Sequence, residues 1–185
     1  MEIPEICDYA DAIGVMVFST IYKDEVHSRA AHFNGFDEEG IYFRTAAGKP
    51  YGRQLMDTGK VTVCGNKESE VAHDADGLPI FKPGYSFRLI GEVRHVPAEV
   101  IEEKAKTNDA LKVAAYDNKA YPDMADGNFV IHKAKVEIFD YDFELNSRNH
   151  KLLRTRAAFG GATFNPAGPR ITDACIECGA CMEAC

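Results

Sequence analysis

Short runs in which apolar and polar residues alternate dominate the chain, interrupted by two helical stretches and preceded by a short one near the start. Gly14-Val-Met-Val-Phe-Ser-Thr20 reads as a strand with both faces largely covered, followed by a turn at Asp24 and a second strand over Val26 to Phe33. Asn34 to Gly40 is rich in turn formers and predicts a loop, after which Ile41 to Thr45 returns as a strand. Lys49 to Asp57 has helical character with Leu55 and Met56 as apolar anchors, and Gly59 is placed to end it. A further strand follows at Val61 to Gly65, and Asn66 to Gly84 reads as a polar, turn-rich connection. Tyr85 to Val96 predicts one long strand, with Gly91 placed for a bulge or corner.

Pro97 can open a helix over Ala98 to Tyr116, and a short helix over Pro4 to Asp11 would turn Ile6 and Ala10 inward. Phe129 to His132 and Lys133 to Phe143 alternate as two more strands. Regular strand-helix alternation is missing. The pattern therefore predicts a mainly β fold with peripheral helices, an antiparallel barrel rather than a doubly wound sheet.

At 185 residues the chain can bury a substantial core. Its formal charge of -8 argues against nucleic acid and anionic membrane as partners. No apolar run is long enough to span a bilayer, and Met1-Glu-Ile-Pro-Glu lacks a secretory start, so the expected compartment is a reducing cytoplasm. Walker, dinucleotide-binding, His-Glu-x-x-His and nucleophile-elbow motifs are absent.

Cysteine changes the picture. Four of the six cysteines lie in Cys175-Ile-Glu-Cys178-Gly-Ala-Cys181-Met-Glu-Ala-Cys185. Two-residue gaps let successive thiolates converge on one inorganic cluster, and the spacing resembles the motif of bacterial-type ferredoxins without the proline that usually follows it. Cys175, Cys178 and Cys181 are expected to ligate a 4Fe-4S cluster. Cys185 closes that cluster, crosses to a partner subunit's, or stays free. A structural zinc site is the alternative metal reading.

Thr20 to Arg29, Ile41-Tyr-Phe-Arg-Thr-Ala-Ala-Gly-Lys49, Gln54-Leu55 and Val61-Thr-Val63 together resemble the FMN-binding split-barrel flavoproteins related to pyridoxamine 5'-phosphate oxidase. The resemblance covers roughly residues 5 to 143. It implies a split β-barrel domain over 1–145 and a homodimer with FMN at its interface. A linker and dimer-contact segment over 146–174 and an iron-sulfur tail over 175–185 complete the expected organisation. His27, Ser28 and Arg29 would lie along the flavin, with Arg29 on its phosphate. Phe43, Arg44, Thr45 and Lys49 would run beside the ribityl phosphate, and Gln54 would serve the second subunit's share.

An FMN phosphate needs charge neutralisation and several donors, which Arg29, Lys49 and Thr45 together supply. The resulting expectation is an FMN-dependent reductase in which flavin N5 carries the chemistry and the cluster passes single electrons to or from it. Its partner would be a small organic substrate or a redox protein. An electron-transfer module without its own substrate and a flavin-binding protein holding zinc are the alternatives, and deazaflavin F420 or haem could replace FMN in such a barrel. The C-terminal substrate region of true pyridoxamine 5'-phosphate oxidases has no counterpart after Phe143.

Overall fold

A computed structural model of the chain describes residues 1–82, 84–140 and 154–165. The opening helix α1 (Ile3–Ile13) hides Ile6, Cys7 and Ala10. Strands β1 (Met16–Tyr22) and β2 (Glu25–Ala31) follow, joined by Lys23 and Asp24, both in left-handed backbone at φ 49° and 64°. Such a two-residue connection matches the twist of the strands it joins. One residue later β3 (Phe33–Asp37) begins and pairs with β4 (Gly40–Arg44). The loop expected over Asn34 to Gly40 is therefore mostly strand, its pairing accommodated by a register shift between Phe33 and Gly35.

Helix α2 (Pro50–Thr58) stands close to where the spacing placed it, and Gly59 closes it with an N–H bond to the Leu55 carbonyl at 2.9 Å. Leu55 is fully buried, whereas Met56 is exposed and anchors nothing. After β5 (Lys60–Lys67), the polar stretch forms a small separate hairpin, β6 (Glu70–His73) with β7 (Pro79–Lys82). The long strand β8 spans Tyr85–Val96, as expected.

The predicted helix after Pro97 is broken in two. Helix α3 (Ala98–Lys104) and helix α4 (Lys112–Ala120) are separated by a turn in which the Asn108 side chain caps the Ala110 N–H at 2.9 Å. A local asparagine bond of this kind competes with continued helix. The two strands expected after Gly127 are one, β9 (Asn128–Asp140), and β10 (Arg154–Phe159) follows where a linker was expected. The rest of the proposed 146–174 segment, save 154–165, lies outside the described residues.

All pairings in the main sheet are antiparallel, in the order β2-β1-β5-β8-β9-β4-β3. One edge of β9 is shared, β4 taking Asn128 to Ile131 and β10 taking Ala134 to Phe139. Because β2 and β3 sit at the two ends of this path yet are chain neighbours, the sheet must curl round on itself. Its inside holds Phe18, Phe33, Phe43, Phe87 and Phe129, each contributing roughly 2 to 3 kcal/mol of transfer free energy. Outside, α3 and α4 cover Tyr42, Val96 and Val130 with Ile101, Leu111 and Ala114. Elsewhere the outer face is open: Val17 and Ile21 are half-exposed or more, so β1 is covered on one face rather than two.

A buried polar cluster ties this helical layer to the β3–β4 hairpin. Lys104 Nζ donates to Asp37 Oδ2 at 2.6 Å and Glu39 Oε2 at 2.9 Å, and the Tyr42 hydroxyl donates to the same two carboxylates. Arg94 also pairs with Glu39. The Lys104 hydrogen bond holds the Glu39 carboxyl below its usual range. Burial opposes the charge on Lys104, but its bonds to Asp37, Glu39 and Tyr42 outweigh burial and raise its pKa.

Replacing Lys104 with Met leaves the Asp37 carboxylate, whose side chain is 4% exposed, without its cation and with the Tyr42 hydroxyl and the Glu39 and Gly40 amides as its donors. The expected loss is roughly 2 kcal/mol in urea unfolding, less than for a wholly buried pair because the lysine is partly solvated. Glu39's contribution is present above its unfolded pKa of about 4.3 and disappears as pH falls through its lower folded value. Wild-type stability should therefore fall more steeply below about pH 4 than that of Lys104→Met; parallel slopes would show that the lysine does not hold Glu39.

Candidate functional site

The start of α2 is built by a tightly folded approach. Thr45 N–H donates to the Gly127 carbonyl at 2.8 Å, and Lys49 N–H closes a turn onto the Ala46 carbonyl at 3.0 Å. Pro50 then supplies the fixed φ suited to a first helical position. The approach lies directly against the first turn, since a Cβ on Gly52 would stand 2.5 Å from the Ala46 oxygen. Only glycine permits that contact.

Three cations gather here. Lys49 is the N-cap residue, Arg53 Nη2 donates to the Gly48 carbonyl at 2.8 Å, and the Arg29 guanidinium lies 5.5 Å from the centre of the Tyr51 ring. Among the described residues none of the three has a carboxylate partner, although the chain as a whole is acidic. Pro50 has no N–H and the Arg53 N–H bonds the Lys49 carbonyl at 3.2 Å, so the Tyr51 and Gly52 amides are the first-turn donors without an intrahelical acceptor, at the positive end of the helix dipole. Together these groups form a corner suited to an anion.

Two buried polar atoms nearby also lack partners. Tyr51 is 2% exposed and Gln54 8%, and neither the Tyr51 hydroxyl nor Gln54 Oε1 has a hydrogen bond among the described residues. Burial pushes the Tyr51 phenol up to about 12 while Arg29 pulls it the other way, so the hydroxyl stays a proton donor at neutral pH. The far end of α2 is fastened by Thr58, whose Oγ1 donates to the Gln54 carbonyl at 2.8 Å and lies 2.9 Å from Thr20 Oγ1.

Of the eight residues expected along a flavin, Arg29, Thr45, Lys49 and Gln54 belong to this corner. The others lie elsewhere. His27 and Ser28 cannot act side by side because neighbouring residues of a strand face opposite ways. Ser28 Oγ is 2.8 Å from Ser19 Oγ on the open face, while the His27 ring lies against Tyr22 and 3.8 Å from the Glu25 carboxylate. Phe43 is wholly buried between Phe18 and Phe129, and Arg44 is 3.4 Å from Asp117 of α4. Arg53 was missed by sequence reasoning, although its place four residues after Lys49 put it one turn further along the same helix face.

The open sheet face carries a second feature, a groove of about 750 Å³. Its floor crosses β1, β5, β8 and β9, and its wall is the turn after β10 at Gly161 to Thr163. That turn sits against β9 because residue 160 is glycine: in left-handed backbone at φ 62°, any Cβ there would meet the His132 carbonyl at 1.9 Å.

The expected 4Fe-4S cluster, and the zinc alternative with it, must be corrected. Among the described residues no group of three or more His, Cys, Asp and Glu is placed to hold a metal ion. A cluster needs several thiolates converging, whereas the two described cysteines are dispersed. Cys7 is buried in α1, its thiol pushed up to about 12 chiefly by burial, and Cys64 is exposed on β5. Cys175, Cys178, Cys181 and Cys185 lie outside the described residues. The function derived below accordingly contains no iron-sulfur centre and no one-electron route through one. Among the described residues, no helix is long and apolar enough to cross a membrane.

No family model matches the chain, and no curated protein matches it. Solved structures do. A NimC/NimA family protein from Clostridium acetobutylicum is similar with a TM-score of 0.57 at 18% identity, covering 85% of this chain and 92% of that one. The FAD and heme binding protein from Mycobacterium smegmatis is similar with a TM-score of 0.52 at 11% identity, covering 95% of this chain and 89% of that one. At such identities the likeness is one of fold, and it agrees with the mainly β split-barrel architecture with peripheral helices that the sequence resemblance implied.

Proposed function

We propose that the chain is a flavin-binding oxidoreductase, with the phosphate of FMN anchored at the start of α2 and a small organic molecule as its reducible substrate. The observation that carries this reading is the corner itself. Arg29, Lys49 and Arg53 stand without carboxylates around free helix amides, beside the unpartnered Tyr51 hydroxyl and Gln54 Oε1. A phosphate dianion meets the cations, the amides and the Tyr51 hydroxyl with charge and acceptor oxygens together, whereas Gln54 Oε1 is itself an acceptor and calls for a donor elsewhere on the ligand. Arginine offers a planar fork and Lys49 a point charge, while the Thr45 hydroxyl adds a neutral donor.

When bound, flavin supplies hydride-equivalent chemistry at N5. The chain's own residues bind and orient it. A second copy would shield the ring by covering the open face, where Val17, Ile21, Val26 and Ile90 are each at least half-exposed. The heme named for the Mycobacterium smegmatis protein fits this chain less well, because the described lining of the groove offers no His, Cys, Met or Tyr as an axial ligand.

Arg29→Gln and Lys49→Gln should each weaken FMN binding by on the order of tenfold or more, and should weaken riboflavin binding far less, because riboflavin lacks the phosphate. Fluorescence quenching titrations with the two flavins read this directly; equal losses for both would place the phosphate elsewhere. Tyr51→Phe should leave the flavin-free protein as stable as wild type, or more stable by about 1 kcal/mol, since it deletes a buried hydroxyl that has no partner. A large loss in urea unfolding would show that the hydroxyl already serves the fold.

A further inference from the structure

The groove on the open face is graded from apolar to cationic. Strand register fixes the order. Ile21 stands opposite Val26, Ser19 opposite Thr62, Thr62 opposite Ile90, and Ile90 opposite Lys135. One row along, Lys60, Glu92 and Lys133 stand side by side on β5, β8 and β9. Lys133 Nζ binds Glu92 Oε1 at 2.9 Å, so the single carboxylate of the groove is already engaged. Lys135 has only Ile90 and Ala158 as cross-strand neighbours and no acidic partner among the described residues.

Three lysines against one glutamate give the described lining a net charge of +2 in a chain of -8. A patch of that sign attracts a small anion.

We propose that this groove binds a small organic anion whose flat apolar body lies on Ile90 and whose carboxylate is held by Lys135 beside it. The volume of about 750 Å³ suits a molecule of that size. Hydroxyls of Ser19 and Thr62 lie on the side of Ile90 away from Lys135 and can orient polar substituents of the body. The proposal deepens the flavin reading by naming the substrate class, an aromatic carboxylate, but the binding step stands apart from the flavin. Lys135 lies on β9, whereas the cationic corner is built by β2 and α2.

Calorimetric titration of the full chain with benzoate, and with its uncharged counterpart benzamide, tests this with and without added FMN. Benzoate should bind at least about tenfold more tightly than benzamide, and Lys135→Gln should remove on the order of that whole advantage while leaving FMN affinity unchanged. Lys135 is on the surface of the sheet, and the unchanged FMN affinity reports that the variant is folded. Equal binding of benzoate and benzamide would overturn the proposal. So would a dimer that binds neither because the second copy fills the groove, or a Lys135→Gln variant that loses FMN while keeping benzoate, which would make the lysines a flavin phosphate site. Benzoate binding that persists in a protein showing no FMN affinity would support the groove and refute the flavin reading separately.

Discussion

One covalent constraint shapes the molecule: the first and last strands of the hydrogen-bonded path, β2 and β3, are separated by His32 alone. A flat sheet of seven strands would hold those ends more than 25 Å apart, at roughly 4.8 Å per strand. The sheet therefore wraps. Wrapping creates an inside large enough for five phenylalanines and an outside that the helices cover only in part. It also leaves β2 as an edge, so that Arg29 can project over the start of α2 and meet the Tyr51 ring. The cationic corner and the open groove are both consequences of a barrel closed by the chain rather than by a last ladder of hydrogen bonds.

Two polar devices then fix what wrapping leaves loose. The Asp37, Glu39, Tyr42 and Lys104 cluster seats α3 on the β3–β4 hairpin, and nearly every group in it has a partner. The corner at α2 has the opposite character. Its cations have no carboxylate partner among the described residues, and the Tyr51 hydroxyl and Gln54 Oε1 have no hydrogen bond there. A buried unsatisfied group is unfavourable to folding, so a site that retains several is organised for something other than the chain's own stability.

Much of this was legible in the sequence where one local signal dominated. The β8 bounds follow from twelve residues of steady alternation, and Gly59 marked the end of α2. Signals failed where tertiary pairing decided. Asn34 and Gly35 look like loop residues, yet β4 draws them into a bulged strand, and Gly35 is needed because a Cβ would stand 2.5 Å from the Ala110 carbonyl. Strand β10 has little apolar alternation of its own and exists because β9 offers an unpaired edge beyond the reach of β4. Lys49, Thr45 and Gln54 were singled out by the family resemblance, and the structure places them at or near the start of α2. Phe43 was misleading, since alternation within β4 sends its side chain into the barrel. The cysteine spacing was the strongest local motif of all, and no described part of the fold supplies it with a site.

A crystal structure of the protein grown with FMN tests most directly whether the corner at α2 holds the phosphate of a flavin, as proposed. Phosphate oxygens are expected within hydrogen-bond distance of the Tyr51 and Gly52 amides and of Arg29 and Lys49. A phosphate seated instead among Lys60, Lys133 and Lys135, or a protein that excludes FMN at saturating concentration, would contradict that proposal.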